Sequence, residues 1–130
     1  GWTVWDPWHC VGSCADRMRS VFGGGVTVIH ENKDCTTWRP DFDVLVGNSP
    51  FSNKTTWLRW ALDTGRPFAL LLPLELLVSL QFRTIPGFDE LQVLLPCRRI
   101  GYERDGERRR AHFESAWICR GLLPRQLVYG

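Results

Sequence analysis

The sequence predicts one α/β domain over residues 1–130, built on a mostly parallel, doubly wound sheet with an antiparallel hairpin near its C-terminus. Three observations predict it. Short apolar or β-branched runs at 2–5, 26–29, 44–46, 68–72 and 91–95 have the length of strands, and those at 44–46 and 68–72 read as buried ones. Segments of helical periodicity at 13–22 and 53–64 alternate with them, the order that generates parallel sheets. No internal repeat or linker divides the 130 residues, and with 44% apolar residues the chain can bury a core of its own.

Residues 2–5 are rich in β-branched and aromatic types, and Asp6-Pro7 ends this first strand. A loop over 8–13 leads into a helix over 13–22. Met18, Val21 and Phe22 are expected inward, Arg17 and Arg19 outward, and Gly23-Gly24-Gly25 stops the helix. Residues 26–29 form the second strand. The polar connection over 30–40 holds Glu31, Asp34 and Trp38. After the third strand, Ser52 or Asn53 is an N-cap type. The helix it opens carries Trp57, Leu58, Ala61 and Leu62 on one face, with Gly65 at C′ and Pro67 beyond. Residues 68–72 are a strand ended by Pro73, 74–80 a short helix, 83–89 a loop and 91–95 a strand. Residues 100–104 and 113–120 are expected as two arms around the charged turn Asp105-Gly106-Glu107, with 122–130 a tail.

Composition narrows the function classes. Net charge is only +2, but fourteen of the basic residues are Arg and two are Lys. Arg suits phosphate contacts and aromatic stacking; the same bias arises from a G+C-rich genome. The five cysteines are odd in number and include no Cys-x-x-Cys, which points to a reducing, intracellular compartment, cytoplasm or nucleus. His9, Cys10 and Cys14 match no closed four-ligand zinc spacing, so no metal site is expected. No apolar run is long enough for a membrane span, and no membrane partner is expected. The chain begins and stops abruptly, as a trimmed fragment does.

The stretch 41–53, Asp-Phe-Asp-Val-Leu-Val-Gly-Asn-Ser-Pro-Phe-Ser-Asn, organises the rest. In open α/β sheets the ligand sits just past the carboxyl ends of strands, which is where Asn48 and Phe51 fall. Asn48-Ser49-Pro50-Phe51 also reads as a strand-to-helix turn, since Asn, Ser and Pro are turn formers.

The tetrapeptide resembles motif IV of the amino-methyltransferases that use S-adenosylmethionine (SAM), an Asn- or Asp-Pro-Pro-aromatic sequence, with Ser49 where the first Pro is usual. Three further stretches resemble N6-adenine methyltransferases of the class I, Rossmann-like fold. Val4-Trp5-Asp6-Pro7 looks like motif I. Residues 65–73, ending Leu71-Leu72-Pro73, look like the strand after motif IV. Arg98-Arg99-Ile100-Gly101-Tyr102 with Phe113-Glu114-Ser115-Ala116 is similar to a pattern in phage-type DNA N6-adenine methyltransferases. The set runs in the right order over most of the chain. It departs from the family in a glycine-poor motif I, where only Gly12 remains beside Trp8, His9 and Cys10. It also lacks length between Ile29 and Asn48, where one strand and one or two helices are missing, so the fold is reduced in size.

The resemblance implies SAM as cofactor and the N6 amine of adenine in DNA as substrate. The chemistry is consistent with the residues. Adenine's amine is a weak nucleophile because its lone pair is delocalised into the ring. Two acceptors on its N–H bonds, the Asn48 side-chain oxygen and the Ser49 carbonyl, would localise the pair. Pro50 would hold Ser49 extended, and Phe51 would stack on a flipped base. By the same resemblance Asp6, Pro7, Gly12, Glu31, Asp34 and Asn48 line the cofactor. Asp6 would hold the methionine ammonium, Glu31 the ribose hydroxyls, and Asp34 would lie near the cofactor's adenine amine. Arg99, Arg108, Arg109 and Arg110 would touch the nucleic-acid backbone. Plainer readings stand beside these: Asp6 as a strand-end cap, Glu31 and Asp34 as solvated charges, Trp8 and Trp38 as core, the arginines as locally paired. RNA as substrate, or an inactive nucleic-acid-binding subunit, remain alternatives. The missing length leaves no room for a separate target-recognition domain, so weak sequence discrimination, or a partner subunit that supplies it, is expected.

Overall fold

A computed structural model describes residues 1–8, 13–50, 52–97, 101–104, 107–110 and 114–130. Strands β1 (Trp2–Trp5), β2 (Val26–Ile29), β3 (Val44–Gly47), β4 (Phe68–Pro73), β5 (Gln92–Leu95), β8 (Ser115–Arg120) and β9 (Leu127–Tyr129) form a seven-stranded sheet in the order β2-β1-β3-β4-β8-β5-β9. β1 pairs in parallel with β2 and β3, β3 with β4, and β5 with β9; β8 runs antiparallel to both β4 and β5. The molecule is thus mixed α/β with a mostly parallel sheet. β6 (Gly101–Arg104) and β7 (Glu107–Arg110) pair with each other in a separate two-stranded sheet among the described residues.

Helix α1 (Ser13–Phe22) connects β1 to β2, and α2 (Lys54–Asp63) connects β3 to β4. The first crossover steps one way from β1 and the second the other way. Right-handed connections therefore put α1 and α2 on opposite faces. The core lies on the α2 face, where Trp5, Leu45, Phe68, Leu70, Leu72 and Ile118 meet Leu58 and Ala61. On the opposite face Val46, Ala69, Leu94 and Trp117 line an apolar groove of about 230 Å³.

The connection from β2 to β3, residues 30–43, contains neither helix nor strand. Side chains pack this connection against the sheet. Trp38 and Phe42 pack on Trp5 with ring centroids 6.2 and 5.1 Å away, and Trp60 of α2 closes on it at 5.6 Å. Each such pair contributes about 0.5–1.5 kcal/mol beyond its buried area. β2 is an edge strand of the sheet. The Asp6 amide donates to the Ile29 carbonyl on the β1 side, so the Val28 carbonyl faces outward, and the Arg19 guanidinium of α1 donates to it at 3.2 Å. A charged side chain thereby covers part of the open edge.

Several expectations are corrected. Of the expected arms over 100–104 and 113–120, the described residues 101–104 and 115–120 do not pair with each other. Residues 115–120, apolar on both faces from 116 to 119, take the buried place between β4 and β5, whereas β6 pairs with the charged segment 107–110. The tail holds β9. Gln92 anchors it, its amide oxygen accepting from the Leu122 and Leu123 amides at 3.1 and 2.9 Å and its amide nitrogen donating to the Leu123 carbonyl at 2.7 Å. Val21 and Phe22, expected inward, are 79% and 45% exposed, because the short sheet ends at β2 and offers that turn of α1 nothing to cover. Asn53 does precede α2, but in the left-handed region at φ 59° and without a side-chain cap bond. Residues 74–80 divide into a 3₁₀ turn, Leu74–Val78, and the start of α3 (Leu80–Arg83), where the Ser79 hydroxyl caps the Phe82 amide. The expected loop over 83–89 likewise ends in a 3₁₀ turn, Phe88–Glu90.

Candidate functional site

A doubly wound sheet binds ligands where successive connections leave in opposite directions, outside the carboxyl ends of the strands. Here that switch point lies between β1 and β3. The chain that follows each strand supplies the candidate residues: Asp6, Pro7 and Trp8 after β1, His30 and Glu31 after β2, and Asn48, Ser49 and Pro50 after β3. Phe51, Gly12 and Arg99 lie outside the described residues, as do His9 and Cys10.

Register brings the first two groups together. Trp5 stands opposite Ile29, so Asp6 and His30 leave neighbouring strands at the same level. His30 Nδ1 lies 2.9 Å from Asp6 Oδ2, with the two side chains 2% and 3% exposed. An ionised Asp6 carboxylate would only accept, with Nδ1–H of His30 as its donor. Asp6 Oδ1 accepts from the Trp8 amide at 3.2 Å, and Pro7 is buried. Nothing in the sequence marked His30 as more than part of a polar connection. The available signal was its phase: it follows β2 by one residue, as Asp6 follows β1.

Glu31 is exposed and pairs with Lys33 at 3.1 Å, while Lys33 lies 4.3 Å from the centroid of the Trp38 ring. Asp34 is exposed and builds the following turn. Its Oδ1 accepts from the Thr36 hydroxyl at 2.6 Å and the Thr36 amide at 2.9 Å, and these bonds hold its carboxyl below the usual range. Glu31 and Asp34 therefore lie beyond the end of β2, and Asp34 has one oxygen already committed within its own loop.

Past β3, Asn48 is exposed and its side chain makes no hydrogen bond among the described residues, whereas Ser49 is 2% exposed and Pro50 exposed. Gly47 has a spatial reason to be glycine. A Cβ there would lie 2.6 and 2.7 Å from Trp8 Cε3 and Cζ3 and 3.0 Å from Asp6 Oδ1. The Trp8 indole thus rests directly on the β3 backbone, edge-to-face with Trp57 at 5.4 Å and Trp60 at 5.9 Å. Trp8 and Trp38 belong to the aromatic packing of the α2 face. The arginines of β7 are set apart: register places Arg108 opposite Glu103, Arg109 opposite Tyr102 and Arg110 opposite Gly101.

No protein-family model matches the chain, and no curated protein is significantly similar to it.

Proposed function

We propose that this chain is a methyltransferase-type domain that moves a methyl group from SAM to the N6 amine of adenine in DNA. One observation carries the reading: Asn48 presents an uncommitted amide just past β3, at the switch point and beside the carboxylate-bearing end of β1. Its oxygen and the Ser49 carbonyl would accept the two N–H bonds of the target amine, with Pro50 keeping Ser49 extended. Catalysis of this kind relies on positioning two reactants rather than on a strong base. The sheet supports a Rossmann-like class I assignment of reduced size, with a mostly parallel order and one antiparallel strand contributed late in the chain.

The donor set suits the cofactor. An ammonium and paired hydroxyls are recognised by carboxylates, and Asp6 and Glu31 follow adjacent strands. SAM, when bound, supplies an electrophilic methyl group on sulfur. Asp6 would hold its ammonium while His30 fixes the carboxylate from the other side. The two acceptors would read the amine and not the sugar, so RNA is the alternative substrate, and a partner subunit would supply target recognition. An inactive nucleic-acid-binding subunit is the second reading, favoured by the burial of Asp6 and its engagement with His30.

Calorimetric titration of the chain with SAM tests the assignment. Binding is expected, weakened by about 1.5–3 kcal/mol in Asp6→Ala, the scale of a lost charge-assisted hydrogen bond. Labelled SAM offered with DNA or RNA then identifies the acceptor. No binding by the unmodified chain would leave the inactive-subunit reading.

A further inference from the structure

We propose that the chain associates with a second copy of itself edge to edge through β9, the two strands pairing antiparallel about a two-fold axis at Val128. The inference is independent of the reading of residues 48–51, because it uses only the far edge of the sheet.

β9 ends the sheet, and its pairing with β5 fixes which of its backbone groups are used. The Gln126 carbonyl accepts from the Val93 amide, and the Gly130 amide donates to the Leu95 carbonyl, both at 2.7 Å. Backbone groups along a strand point alternately to its two sides. Residues 126, 128 and 130 therefore face β5, and the amides and carbonyls of Leu127 and Tyr129 face away from it. Among the described residues nothing bonds to that outward row.

The row fits a second copy in spacing, side chains and charge. In an antiparallel pair, residues that exchange both N–H···O=C bonds recur at every second position. With Val128 opposite Val128 of the second copy, each Leu127 meets the other copy's Tyr129, and every outward donor finds an outward acceptor. Val93 stands opposite Leu127 and packs against the core on the α2 side, so Leu127 and Tyr129 lie on that face, 46% and 77% exposed. Pairing brings them together across the strands as apolar neighbours. Residues 126–130 carry no charge, so no like charges meet. Edge strands are ordinarily guarded by charge, proline or a covering element. Arg19 guards β2 in this way, and β9 has neither a charged residue nor a proline. The strand is also held ready: the Gln126 side chain donates to the Asp89 carbonyl at 3.2 Å, and Gln92 fixes the turn before it. Pairing then orders little new chain. Because β8 is antiparallel to both β4 and β5, β9 runs with β4 and β3. The antiparallel partner reverses that direction, so the two switch points open at opposite ends of the joined sheet and each copy keeps its own site.

A pairing this short is smaller than a standard interface, so the expected dissociation constant lies between about 10 μM and about 1 mM. Sedimentation equilibrium of the chain across that range measures it, and hydrogen exchange resolved by NMR follows single amides. The mass should rise toward that of two copies. The Leu127 and Tyr129 amides should slow in step with it, while the Val128 amide, bonded to β5, stays constant. Tyr129→Pro removes an outward N–H from each copy and leaves the bonds to β5, since proline is tolerated where the N–H faces outward. It should weaken association by about tenfold or more. Leu127→Lys supplies the missing guard and should act in the same direction. Unchanged protection of the Val128 amide in dilute solution checks that β9 stays docked in both variants. A chain that is monomeric throughout overturns the proposal, as does a dimer in which the Leu127 and Tyr129 amides gain no protection. Association that both variants leave unchanged also overturns it. Slow exchange of those two amides in a monomer would assign the edge to a segment of the same chain, against the second copy.

Discussion

Consider removing His30. Its ring and the Asp6 carboxylate are 2% and 3% exposed and 2.9 Å apart, so water screens their interaction little. His30→Ala leaves a buried carboxylate without its imidazole, a change that costs about 3–5 kcal/mol. Asp6→Asn keeps the shape and an acceptor for the Trp8 amide, but loses charge assistance, about 1.5–3 kcal/mol. With both substitutions no carboxylate remains to be stranded. The double variant should therefore be more stable than the sum of the singles predicts, by about 1.5–3 kcal/mol. Urea unfolding of the four proteins, followed by circular dichroism, gives the coupling, provided the denaturant slopes agree. A coupling below about 0.5 kcal/mol, the ordinary error of additivity, would refute the argument. The two side chains would then contribute as packing and not as a bonded pair.

Other outcomes follow from the same geometry. Asn48→Ala should lower kcat severely and leave SAM affinity nearly intact in a labelled-methyl assay, because its acceptor acts on the amine as it changes geometry; normal turnover would remove the motif assignment. Replacing Arg108, Arg109 and Arg110 by Ala should weaken binding to all sequences alike, and the slope of log K against log salt should fall by up to about 0.9 per lost duplex contact, or about 0.7 on a single strand. An unchanged slope would mean that these arginines serve the hairpin alone. Burial raises the Cys119 thiol from 9.0 to about 11. The folded state then holds that proton more tightly than the unfolded one, so this contribution to stability is complete below pH 9 and declines as pH rises toward 11. Thiol labelling at pH 8 should accordingly modify exposed Cys97 and spare Cys35 and Cys119 until unfolding.

The strands up to β5 were legible in the sequence because their apolar runs are bounded by Asp6-Pro7, Gly23-Gly24-Gly25, Gly47 and Pro73, residues that end strands and helices for local steric reasons. The position of Asn48 followed from the same punctuation. Partner choice was not legible. Residues 115–120 read equally well as a hairpin arm and as a buried strand, and only competition for the gap between β4 and β5 decides. The Asp6–His30 pair depends on register between parallel strands more than twenty residues apart. Val21 and Phe22 misled because periodicity assigns an inward face whether or not a neighbouring element exists to receive it.

The central position of β8 has a consequence for how the chain is made. It contributes the last long strand in the sequence yet sits between β4 and β5, which are complete some twenty residues or more earlier. During synthesis β4 waits with one side unpaired, and β5 with both, until β8 and then β9 have been delivered. Non-local strand pairing of this kind is slow, and open apolar strands invite association with other chains. A chain stopped before Ser115 is then not a smaller version of the domain. It is a four-stranded sheet, β2-β1-β3-β4, with β4 as an open edge and β5 without either neighbour, and the cell meets that species every time a ribosome reads this segment.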